Sequence, residues 1–80
     1  MRKLKLIWDF KGPDGKKTAE HHLIHLKEYV QRKNFEFIAT GTESLSEMHH
    51  IAFAAVEEKD MIEVRDELRP HRGQLWTQTD

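Results

Sequence analysis

The chain has no cysteine, which excludes disulfides, thiolate metal ligands and thiol nucleophiles and leaves packing to hold the fold. Two prolines and four glycines among 80 residues are too few for a low-complexity or linker-dominated chain. No apolar run approaches a membrane span, and the basic, alternating start lacks the apolar core of a signal peptide, so the expectation is no membrane association and a cytoplasmic location. Neither charge is in excess. The 13 Lys and Arg against 14 Asp and Glu supply no field to gather a phosphate backbone, and nucleic acid is not an expected partner.

What is present is a single domain's worth of chain, residues 1–80, with 38% hydrophobic and 34% charged residues. That apolar share is modest, so a partner subunit would add to stability. Histidine is the abundant functional residue: His21, His22, His25, His49, His50 and His71. Their full protonation would carry the formal charge from −1 to +5, making it strongly dependent on pH near neutrality.

Residues 3–10 alternate, with Leu4, Leu6, Trp8 and Phe10 on one side and Lys3, Lys5, Ile7 and Asp9 on the other, the period of a half-buried strand. The breaker cluster Gly12-Pro13-Asp14-Gly15 follows, with Asp14 or Thr18 as caps for a helix reaching Lys33. Ala19, Leu23, Leu26 and Val30 form the helix's apolar stripe, with His22 and Tyr29 at its margin. Phe35, Phe37 and Ala39 alternating with Glu36, Ile38 and Thr40 predict a second strand, and residues 41–46 a hairpin loop. Residues 48–57 are apolar on both alternating faces: His50, Ala52, Ala54 and Val56 against His49, Ile51, Phe53 and Ala55. That predicts a central strand covered on both sides. Asp60 and Glu63 have capping-box spacing ahead of Met61, Val64 and Leu68, and Pro70 ends this second helix before a last strand over residues 72–77.

The order β-α-β-β-α-β predicts an α+β, ferredoxin-like split sandwich: an antiparallel four-stranded sheet of order 4-1-3-2 with two helices on one face. The order, the size and the two-sided middle strand resemble the dimeric α+β barrel proteins, in which two such sheets pack face to face. The resemblance spans nearly the whole chain and rests on architecture. It implies a homodimer formed through the helix-free face, where Ile7 and the third strand supply apolar surface.

This topology brings the histidines toward one end of the sheet, five at its rim and His25 a turn below. One reading is a transition-metal site for Zn, Ni or Cu, with His21 and His25 at i, i+4, His49, His50 or His71 completing the set and Asp9 nearby. No such cofactor is required by the sequence. A second reading is cofactor-free proton transfer of an isomerase or monooxygenase type. His22 or His50 would act as general base against Asp9, with Trp8, Phe10 and Tyr29 walling a small-molecule pocket. The third is a structural or interaction module whose histidines are ordinary rim residues.

Three other features carry less. Residues 11–18 have the placement of a phosphate loop, but Lys11 and Lys16 occupy its glycine positions, so a solvated turn is the plainer reading than an anion beside Lys16 and Lys17. Ser44 and Ser46 lack a nucleophile-elbow context. Trp8 and Trp76 read as core or interface anchors before ligand-stacking groups.

Overall fold

The computed structural model describes residues 2–76. Its elements are β1 (Lys3–Lys11), α1 (Gly15–Lys33), β2 (Ala39–Ser46), β3 (His49–Glu57), α2 (Glu58–Leu68) and β4 (Arg72–Leu75). All strand pairs are antiparallel, in the order β2-β3-β1-β4. Read from the other edge this is the neighbour order expected above, and it is compatible with a ferredoxin-like arrangement.

The two-sided apolar patterning of residues 49–57 does what such a pattern requires: β3 lies inside the sheet, pairing with β1 from Lys3↔Glu57 to Lys11↔His49. One face carries Leu6 and Trp8 of β1 with Ala52, Ala54 and Val56 of β3. They pack with Leu26 and Tyr29 of α1 and Val64 of α2 in one buried cluster, which places both helices against that face. The two alanines, Ala52 and Ala54, keep β3 slim where α1 crosses it. Trp8, 3% exposed, also donates its Nε1–H to the Leu68 carbonyl at 2.9 Å, tying β1 to the end of α2. Tyr29, expected at the margin of the stripe, is fully part of this core.

Three expectations are corrected. The second strand is not residues 35–40 but Ala39–Ser46, and the segment expected as a loop forms most of it. Phe35 and Phe37 pack against the core from irregular chain, their rings edge to face 5.3 Å apart, while Thr40, Thr42 and Ser44 pair with β3. The connection is only Glu47-Met48, after a register shift between Ser44 and Ser46. α2 begins at Glu58 with no side-chain capping bond, so the spacing of Asp60 and Glu63 marks the helix without forming its cap. β4 ends at Leu75; Trp76 lies beyond the strand although its N–H still bonds the Lys3 carbonyl at 2.8 Å, and Thr77 lies outside the described residues.

The helix-free face also differs from expectation. Ile7, Ile51 and Ala55 are at most 2% exposed within the single chain. Around them stand Lys5, whose Nζ lies 4.4 Å from the Phe53 ring centre and 2.9 Å from Glu43, with Trp76 stacked on Phe53 at 6.0 Å. The apolar floor is therefore roofed by polar and aromatic side chains.

Candidate functional site

Strand parity decides where the histidines go. Successive residues of a strand point to opposite faces, so His49 and His50 part company. His49 joins Asp9 on the helix-free face, whereas His50 joins the helix side with Trp8 and Phe10.

Asp9 is the hub of the helix-free side. Its Oδ1 accepts from His49 Nε2 at 2.7 Å and from Arg72 Nη2 at 3.1 Å, and its Oδ2 accepts from Arg72 Nε at 3.0 Å. Arg72 lies opposite Ile7 and reaches diagonally along the face, and His49 reaches from opposite Lys11 in the same way. The Arg72 fork, more than any other contact, holds the Asp9 carboxyl at about 2. Asp9 is thus a carboxylate throughout the neutral range, and the proton in its bond to His49 belongs to Nε2. In the neutral ring Nδ1 then carries the free lone pair.

Asp9 also donates its backbone N–H to His71 Nδ1 at 2.8 Å. β4 starts only at Arg72, after the His71 N–H has bonded the Ile7 carbonyl at 2.9 Å. The His71 ring takes the acceptor position that a neighbouring strand would have supplied.

On the helix side, His22 sits against Trp8 and Phe10 with ring centres 4.8 and 5.5 Å away. Its Nε2 is buried with no hydrogen-bond partner among the described residues. Burial pushes its pKa down from 6.5, with the charges of His25 and His71 acting in the same direction. Folding therefore favours the neutral ring: its contribution is complete above 6.5 and is lost as pH falls below that value. In urea titrations between about pH 7.5 and 5, wild type is expected to lose more stability on acidification than His22→Leu. Parallel curves would show that His22 takes no part.

His50 is 8% exposed and lines a cleft of about 230 Å³ between the first turns of α1 and the outer half of β2. His21 and His25 are neighbours on the exposed surface of α1, their ring centres 4.8 Å apart, with His25 3.4 Å from Glu28.

The sequence-based sets are accordingly redistributed. Of His22, His50 and Asp9, the two histidines lie on the face opposite to the carboxylate, so neither is its partner; the partner is His49. Of His21, His25, His49 and His71, only the first two adjoin. Among the described residues no group of three or more His, Asp or Glu side chains is placed to hold a metal ion. Trp8 and Tyr29 are buried in the core and Phe10 packs against it, so these rings fill the interior where a pocket was expected. Arg72 is the site residue that sequence reasoning missed. The alternation puts Asp9 on the strand face of Ile7 and His49 on that of Ile51, but that these two faces coincide follows only from the β1–β3 register.

Comparison with protein-family models, curated proteins and solved structures finds no match to this chain, so its reading rests on the geometry above.

Proposed function

We propose that this chain is a ferredoxin-like split βαββαβ domain that pairs with a second copy through its helix-free face. In this reading it uses the Asp9–His49 dyad as an acid–base centre for a small molecule held between the two sheets. The observation that carries the reading is the 2.7 Å bond from His49 Nε2 to a carboxylate kept ionised by Arg72. A carboxylate behind an imidazole fixes its tautomer and stabilises the imidazolium that forms when the other nitrogen takes a proton.

The chemistry is one proton moved twice. His49 Nδ1 accepts a proton from a carbon or hydroxyl made acidic by a neighbouring carbonyl, leaving an enolate, and the imidazolium returns it at another atom of the same molecule. No oxidant or metal is needed for this balance. The dyad stands on a sheet surface, so the reading needs the face-to-face partner: a second sheet would exclude water and place half-buried Phe53 and Trp76 around the substrate.

The expected result is a dimeric mass by light scattering in the tens of micromolar, and deuterium exchange into small 1,3-dicarbonyl compounds or phenols above the buffer rate. His49→Gln should slow that exchange by about 100-fold or more. A monomeric mass sinks the dimer. Exchange at the buffer rate across the panel, or exchange indifferent to His49→Gln, sinks the catalytic reading.

A structural reading is favoured by a separate observation. Arg72 and His71 both bind Asp9 and so fasten the four-residue strand β4 to β1. Under it, Arg72→Gln and His49→Gln variants would differ from wild type in stability alone.

A further inference from the structure

On the opposite side of the sheet from Asp9, the cleft between α1 and β2 is lined by Lys16, Ala19, Thr42, Glu43, Ser44 and His50. We infer that it is a binding site for a small oxyanion, held by the Lys16 ammonium, the Thr42 hydroxyl, the His50 imidazole and the Ser44 hydroxyl, which donates to the Ser46 carbonyl at 3.3 Å and would turn to the ligand. Its volume of about 230 Å³ is that of roughly eight waters at liquid density, ample for a tetrahedral or planar oxyanion.

The reason to look for a ligand here is His50. Among the described residues it is the one buried residue of polar or charged class, and it lines the cleft. Its hydrogen bond is a long one, 3.3 Å, between Nε2 and the Glu47 carbonyl. A carbonyl only accepts, so Nε2 carries the hydrogen, and Nδ1, which has no protein partner among the described residues and is not a buried orphan, is open to whatever fills the cleft. When an oxyanion enters, Nδ1 must take up a proton to donate to it, and the imidazolium then bonds Glu47 and the ligand together.

Charge and close packing support the same occupant. Helix α1 has no acidic residue in its first turn, and Lys16 and Lys17 stand there against the positive end of the helix dipole, an arrangement that an anion relieves. Glu43, the acidic residue in the lining, has its carboxylate 2.9 Å from Lys5 and so is already neutralised; Glu47 offers its carbonyl, and Asp14 is exposed ahead of the helix. Gly15 lets the wall come close: a Cβ there would stand 2.6 Å from the Phe10 carbonyl oxygen and 3.2 Å from His50 Cδ2.

Inorganic sulfate is the suitable probe, because it remains a dianion throughout the range in which imidazoles titrate. Followed by NMR on the full chain, sulfate should give saturable shifts centred on Lys16, Thr42, Ser44 and His50. Affinity should be several-fold higher at about pH 5.5 than at about pH 8. Lys16→Gln should weaken it about fivefold or more and Lys17→Gln much less, while Thr42→Val, which leaves both charge and imidazole in place, should also weaken it. His50→Gln should abolish most of the pH dependence. Unsaturable shifts spread over surface lysines, equal effects of the two lysine variants, or a pH dependence retained in His50→Gln would each overturn the site. None of these outcomes bears on the Asp9–His49 dyad, which lies on the other face.

Discussion

A Trp8→Ala variant is expected to lose about 3–5 kcal/mol of unfolding free energy, the largest effect of any substitution considered for this chain. Trp8 is 3% exposed at the centre of the cluster joining β1 and β3 to both helices, so truncation leaves a cavity bounded by Leu26, Val64 and the alanines of β3. Those alanines have no side-chain length with which to collapse into the space. The Leu68 carbonyl also loses its donor where α2 ends. An 80-residue domain has about 4–12 kcal/mol in total, so the variant should melt more than about 10 °C lower or fail to fold at 37 °C. Trp8→Phe separates the two contributions, since it keeps most of the apolar volume and forfeits the Nε1 bond; a loss of about 1–2 kcal/mol is expected. If calorimetry shows Trp8→Ala within about 1 kcal/mol of wild type, the packing described for this core is wrong.

Gly15→Ala should destabilise the chain by about 1–2 kcal/mol, although alanine is the better helix former by roughly 0.5–1 kcal/mol. Packing reverses the usual sign. The added methyl would meet backbone, the Phe10 carbonyl oxygen at 2.6 Å, and backbone held in the β1–β3 ladder cannot retreat cheaply. Relief must come from α1 shifting outward, which moves the His50 ring 3.2 Å away on the other side. The variant should therefore show a lowered melting temperature together with NMR shifts at His50, Thr42 and Lys16. An unchanged or raised melting temperature would mean that the α1 N-terminus does not lie where it has been described.

How much of this could be read beforehand varied element by element. β1, α1 and β3 announce themselves by period, because their neighbours are fixed by burial of a continuous stripe or face. β2 does not. Phe35 and Phe37 alternate with polar residues as a strand would, yet they serve as plugs at the end of the core, and the actual strand is a polar edge whose exposed side chains carry little periodic signal. Its position follows from the Glu47-Met48 turn and from pairing with β3, contacts that a local window does not contain.

The functional residues divide along the same line. That the histidines would gather toward one end of the sheet followed from element order alone, but the sequence reading set Asp9 against His22 or His50, and it is the register of β1 on β3 that puts Asp9 and His49 on a common face and His50 on the other. What only the tertiary structure decided was the partnership. Arg72 comes to Asp9 because edge strand β4 lies beside β1 in a particular register, 63 residues away along the chain. His50 acquires its cleft because α1 is laid across β2 at a distance that Gly15 alone permits. Period and parity are local properties of a chain and can be counted along it. Register between distant strands and the height of a helix above a sheet are set by the sum of packing over the whole domain, and that sum fixes which histidine meets the carboxylate.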